Sequence, residues 1–293
     1  MKLTYILAGL ILATLFTGCT TDITLDLKGA TPELVVEGTI TTDTMAHIIS
    51  LKKTSTYFSN LAAQSVSGAT VTLSDGLNSI ILAEGESKKG EYLTPANYFG
   101  VVGRTYTLTI DNVDVNADGV KEQYTASCHM NTQIPIDSIK IMKERLFQQD
   151  MWAVKAWFQD PAGENNYYLI RNYRNDISVS DSIQEWGVTD DVFFNGKYIL
   201  GETMIYYAAQ KESEKLKLGD KATLELCAIT KDYMEYIGEA QEEYMGRNPL
   251  FGGQPANIRT NIKQLLPVNS KTKPHGYFAA YPVSRASLIY NGL

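Results

Sequence analysis

Histidine is scarce in this 293-residue sequence: His47, His129 and His275 are the full set. None lies in an H-E-x-x-H pattern, the spacing that puts two imidazoles on one helix face for zinc. G-x-S-x-G, G-x-x-x-x-G-K-[ST] and C-x-x-C are missing as well. Those absences remove the hydrolase elbow, the phosphate-cradling loop and the thioredoxin-type dithiol from consideration. Cys128 and His129 are adjacent, but successive strand residues point to opposite faces, so they make no thiol–imidazole pair. His47 and His275 have no ligand pattern around them and read as surface residues. Positive charge is also in short supply: 26 Lys and Arg face 33 Asp and Glu, for a net charge of −7. With no local basic cluster to offset it, that balance argues against nucleic acid and against broad contact with anionic lipid. After residue 16 no apolar run approaches the roughly 20 residues that a membrane-spanning helix needs.

What is present begins at the N-terminus. Lys2 precedes an apolar stretch from about Tyr5 to Phe16, too short to span and ending in Leu15-Phe16-Thr17-Gly18-Cys19. Small residues before a cysteine fit lipoprotein processing, so residues 1–18 are expected to be a lipoprotein signal peptide and Cys19 the lipidated residue. Acyl chains on Cys19 would hold the protein at a membrane. Residues 19–32 read as a polar tether. Loss of residues 1–18 would remove only Lys2 among the charged residues and make the body one unit more acidic. The other cysteines, Cys128 and Cys227, lie nearly 100 residues apart and make no disulfide framework, although an exported compartment permits a bridge.

Residues 33–130 follow a period of two. Val71 and Leu73 alternate with Thr70 and Thr72, Tyr106, Leu108 and Ile110 with Thr105, Thr107 and Thr109, and Tyr124, Ala126 and Cys128 with Thr125 and Ser127. One buried and one wet face explain that alternation, and Asp75-Gly76, Lys89-Gly90 and Asp118-Gly119 supply turns. A β-sandwich of about 100 residues is expected here. Residues 131–293 are assigned to a second β-rich domain, with strands around Trp152–Phe158, Tyr167–Ile170 and Ala222–Ala228. A single amphipathic helix is predicted near 231–245, capped by Thr230, with Tyr233, Tyr236, Ile237, Ala240 and Tyr244 on its apolar face. Its acidic face, with Asp232, Glu235, Glu239, Glu242 and Glu243, reads as solvated. The fold class is mainly β.

One motif carries recognisable coordination chemistry. Asp114, Asn116 and Asp118, followed by Gly119 and then Glu122, match the opening of a calcium loop, with oxygen ligands at alternate positions. The twelfth position is Thr125 rather than a bidentate Glu, and strands flank the loop, so a polar hairpin closed by Asp118-Gly119 is the competing reading. No other cofactor is expected. Asp190 and Asp191, beside Phe193, Phe194 and Asn195-Gly196, form a second polar–aromatic patch that could hold a ligand or serve as a hairpin. Trp152 reads as core. Trp157 shares the opposite strand face with Lys155 and is the better candidate for a surface aromatic that stacks a ligand.

The order of landmarks resembles the domain-of-unknown-function 4249 family of Bacteroidota-type outer-membrane lipoproteins. After Cys19 come Leu34-Val35-Val36-Glu37-Gly38, Gly68-Ala69-Thr70-Val71, Gly90-Glu91-Tyr92 and Gly103-Arg104-Thr105-Tyr106. Asp160-Pro161, Asn166-Tyr167-Tyr168, Asn257-Ile258, Asn261-Ile262 and Gly276-Tyr277-Phe278-Ala279-Ala280 follow. The resemblance implies an N-terminal sandwich like the immunoglobulin-like or carboxypeptidase-regulatory modules. It also implies a noncatalytic accessory role beside a TonB-dependent transporter in the outer membrane, and it brings no catalytic residues. Phe16 and the lack of an acidic run after Cys19 depart from the pattern, so periplasmic and surface-facing orientations both stay open. A structural or adhesive surface protein is the alternative, and an enzyme with a site around Asp190 and Asp191 is a third.

Overall fold

Two sandwiches of β-sheet are built from the alternating segments, and late strands of the chain return to the first. The structure is a computed structural model that describes residues 31–55, 62–146, 148–245, 257–268, 270 and 272–292. The expected signal peptide, Cys19 and most of the tether lie outside the described residues. Residues 31–293 form one unit. It is mainly β, with eighteen strands and one α-helix among the described residues.

The first sandwich faces one five-stranded sheet against another. One sheet has the order β17 (His275–Tyr281), β1 (Leu34–Thr41), β2 (Ile48–Lys53), β6 (Glu91–Leu93) and β5 (Ala83–Glu84). The other has the order β16 (Lys263–Leu266), β8 (Glu122–His129), β7 (Thr105–Val113), β3 (Thr70–Ser74) and β4 (Ser79–Ile81). The alternation read from the sequence sets their inner faces. Val36, Leu51, Val71, Tyr106, Leu108 and Tyr124 meet in one core, while the intervening threonines face out. Cys128 lies in that core and His129 points outward, so the two occupy opposite faces.

The second sandwich pairs a three-stranded sheet with a five-stranded one. The first has the order β14 (Tyr198–Ala208), β10 (Gln149–Gln159) and β9 (Ser138–Leu146). The second has the order β12 (Ile177–Ser178), β11 (Tyr167–Arg174), β15 (Lys221–Ile229) and β18 (Val283–Ile289), with β13 (Gly187–Asp190) also pairing β11. Trp152, Val154, Phe158, Tyr168, Leu224 and Leu226 fill the space between them. The other face of β15 is covered by α1 (Lys231–Met245) and β17 through Cys227, Tyr233, Ile237, Tyr277 and Tyr281.

Here the sequence boundary at residue 131 differs from the structure. β16 and β17 belong to the sheets of the first sandwich, β16 beside β8 and β17 parallel to β1. The reason is that β17 is buried on both sides. Phe278 and Ala280 enter the first core, while Tyr277, Ala279 and Tyr281 enter the layer under α1. An apolar run without alternation is what a strand covered on both faces requires. Gly276 makes the pairing with β1 possible: its φ is +83°, and a Cβ there would lie 2.0 Å from the Val36 carbonyl oxygen.

The helix begins as expected. Thr230 Oγ1 accepts the Tyr233 amide at 3.4 Å, satisfying one of the free N–H groups of the first turn. Tyr233 packs 5.0 Å from the Tyr277 ring, and Ile237 is fully buried. Two details differ from the sequence reading. Tyr244 is exposed, about two turns beyond the buried Ile237. The acidic face is also not simply solvated: Arg259 bonds Glu239 through Nε at 2.9 Å and through its backbone amide at 2.7 Å, and pairs with Glu235 as well. His47 likewise departs from its surface assignment. It is buried against Tyr98, with Nε2 3.2 Å from the Asp43 carbonyl, and burial pulls its pKa down. His275 is partly buried, 2.6 Å from Glu33. Cys128 and Cys227 are both free and buried.

A charged network lies at the junction of these layers. Glu225 of β15 has no solvent contact. Its Oε1 accepts Arg171 Nε at 2.6 Å, and its Oε2 accepts Arg285 Nε at 2.8 Å and the Tyr173 hydroxyl at 3.1 Å. Arg285 extends the network to Asp43 with two bonds of 2.7 Å. Removing one partner of such a buried set leaves the others uncompensated. Glu225→Gln is therefore expected to cost about 3–5 kcal/mol in denaturant unfolding. The bond from Arg285 holds the Asp43 carboxyl below its ordinary value of 3.8. Asp43 thus stabilises the fold above that value, and its contribution fades as pH falls through the lower folded-state value. Asp43→Asn should flatten the acid limb of a plot of unfolding free energy against pH.

Candidate functional site

Asp160 directly follows β10, and Asp160-Pro161-Ala162-Gly163 leads the chain toward β11. The turn that links β13 to β14, residues 191–197, lies against it. Five contacts join the two loops. The Asp160 amide bonds the Lys197 carbonyl at 3.1 Å, and the Asp191 amide bonds the Asn166 carbonyl at 3.1 Å. Asn195 Nδ2 donates to the Glu164 carbonyl at 2.7 Å. Asn166 Nδ2 donates to Asp191 Oδ2 at 3.2 Å, and the Gly196 amide to Asp160 Oδ2 at 2.7 Å. The Tyr168 hydroxyl donates to Asp160 Oδ1. Both aspartates are fully buried, and burial raises the pKa of Asp160, with the charge of Asp191 acting in the same direction.

Beside this junction is a cavity of about 590 Å³, lined by Phe158, Ile170, Phe194, Ile199 and Met204, with Lys197 and Glu202 also on its wall. Two of its lining side chains are apolar and open to solvent: Phe193 of the turn is 87% exposed and Leu200 of β14 75%. A concave apolar surface with a few polar groups at its edge suits capture of a partly apolar molecule or side chain.

The structure brings some of the sequence-selected residues together and separates others. Asp191, Phe193 and Phe194 share the turn. Asp190 does not join Asp191: it is half-buried, accepts the Val192 amide at 3.3 Å, and faces a groove shared with Glu235, Glu239 and Arg259. Trp157 is half-buried and does not line the cavity. Its ring lies against Gly201 of β14, where φ is +82° and a Cβ would come within 2.5 Å of the indole. Asp160 and Asn166 are members of the junction that the sequence reading treats only as turn and landmark residues. The signal was the pairing of Asp160-Pro161 with Asn166-Tyr167-Tyr168, which reports a turn but not its burial.

The loop from Asp114 to Glu122 is closed on itself. Asp114 Oδ1 and Oδ2 accept the Asp118 and Gly119 amides, each at 3.1 Å. Asn116 Oδ1 accepts the Asp118 amide at 3.1 Å, and Asp118 Oδ1 accepts that of Val120 at 2.8 Å. Glu122 is buried at the start of β8 and accepts the Val115 amide at 2.9 Å. Burial raises its pKa. The side chains thus serve as acceptors for the hairpin's own backbone. Asp114→Ala should lower stability by about 1–2 kcal/mol, and by the same increment in excess calcium and in excess chelator. Thermal melts of the two proteins in both buffers check this.

Among the described residues no group of three or more His, Cys, Asp and Glu side chains converges as a metal site. A comparison with curated protein sequences gives no match. The family model described as "Domain of unknown function (DUF4249)" matches residues 20–287. The match runs through both sandwiches and the loop junction between Asp160 and Asp191, and the chain belongs to that family.

Proposed function

We propose that the protein is a noncatalytic binding lipoprotein of the outer membrane, anchored through lipid on Cys19 and serving a TonB-dependent transporter in nutrient uptake. The observation that carries the binding role is the cavity of about 590 Å³ whose wall exposes Phe193 and Leu200. Exposed apolar side chains grouped around a concavity favour association with another molecule. The anchor rests on the sequence from Lys2 to Cys19, and the transporter on the resemblance set out above. In this reading the cavity mouth is the contact surface.

Affinity purification of the intact lipidated protein from detergent-solubilised envelopes tests the proposal. A TonB-dependent transporter should co-purify with the wild type and be depleted with the double variant Phe193→Ser, Leu200→Ser. Repeated purifications without a transporter would overturn the accessory role. Cys19→Ala should move the protein from the membrane fraction to the soluble one, and a membrane-bound variant would remove the lipid anchor from the account.

A further inference from the structure

The junction of the two loops beside the cavity leaves one buried carboxylate oxygen that no donor reaches. Asp160 and Asp191 bring four carboxylate oxygens into a region without solvent contact. Tyr168 and the Gly196 amide serve Asp160. Asp191 has only the Asn166 amide nitrogen, through Oδ2. That nitrogen also lies 3.2 Å from the Pro161 carbonyl and 3.2 Å from the Glu164 carbonyl. The Glu164 carbonyl is served by Asn195 Nδ2 at 2.7 Å as well, which leaves the two Asn166 hydrogens for Asp191 Oδ2 and the Pro161 carbonyl. Asp191 Oδ1 is buried and has no hydrogen-bond partner at all. Lys197, the cation on the same turn, donates instead to the Phe193 carbonyl at 3.0 Å. A buried carboxylate oxygen left unpaired is costly, and positive charge is what the junction lacks.

We infer that Asp160, Asp191, Asn166 and the carbonyl oxygens of Pro161 and Glu164 form a binding site for one hard divalent cation of the calcium type. The donor set is entirely oxygen, mixing two carboxylates with amide and backbone carbonyls, which is the chemistry Ca²⁺ selects over softer metals. Only two of the donors are acidic, so this is not a site of clustered carboxylates or histidines. A half-turn of the Asn166 amide would present its Oδ1 where Nδ2 now faces the other oxygens. The bound ion would join the 160–166 loop to the 191–197 turn and so fix Phe193 and Phe194 at the cavity mouth. The site stands independently of the transporter reading.

Calcium titration of the chelator-treated full-length protein, by calorimetry and by terbium luminescence, tests the inference. One saturable ion is expected, with Tb³⁺ emission excited through tyrosine, because the Tyr168 hydroxyl is bonded to Asp160, and with displacement by Ca²⁺. Asp191→Asn should weaken binding about tenfold or more by removing a charged ligand, whereas Asp114→Asn should leave it unchanged. No saturable ion in the wild type, or binding lost in Asp114→Asn and kept in Asp191→Asn, would overturn the site. Should Asp191→Asn fail to fold by circular dichroism, Tyr168→Phe takes its place. Most tyrosine-excited emission should then disappear while Ca²⁺ still binds, and undiminished emission would place the ion elsewhere.

Discussion

Burial of the Glu225 carboxylate is the constraint around which the layers are arranged. A charge in the interior is tolerable only where opposite charge and donors meet it. Arg171 from β11, Arg285 from β18 and Tyr173 from β11 meet it here, and Arg285 also bonds Asp43 of the first sandwich. The sheet with β11, β15 and β18 must therefore keep its register, because a slip by one residue would send Glu225 to the apolar face lined by Leu224 and Leu226. Cys227 lies on the same side as Glu225, and its thiol is pushed far up by burial and by that neighbouring charge. A thiol held protonated is a packing group rather than a nucleophile.

Much of the fold is legible in the sequence where one face is wet and the other dry. Val71 and Leu73, or Tyr106, Leu108 and Ile110, declare their strands because threonine separates them. Thr230 declares the helix start because its hydroxyl has a local task. What resists reading is polarity turned inward. In β15 the alternation of Ala222, Leu224, Leu226 and Ala228 is visible, yet Glu225 between them looks like an outward residue. Its arginines come from 54 and 60 residues away in the chain. Trp157 differs for a related reason: its ring packs where Gly201, 44 residues on, has no Cβ to meet it, a contact that the order of letters does not announce.

The two acidic loops show the same contrast at the level of chemistry. The segment from Asp114 to Glu122 spells out a coordination pattern, and its oxygens are consumed by amides within nine residues. Asp160 and Asp191 spell out nothing. They meet because β10, β13 and β14 deliver their ends to one place, and the donors gathered there do not reach Asp191 Oδ1. A local motif can satisfy itself locally, whereas a set assembled by topology inherits whatever imbalance its elements bring.

The parallel pairing of β1 with β17 also has a temporal meaning. β1 is an interior strand, bonded on one side to β2 and on the other to residues 275–281. During vectorial synthesis the first sheet therefore remains open along β1 until residues 275–281 have emerged. An unpaired strand edge is a template for the wrong partner, and contacts so distant in sequence form slowly. The nascent first sandwich is thus a vulnerable species that depends on being kept from other chains. Closure by β17 makes arrival of residues 275–281 the step that removes that open edge.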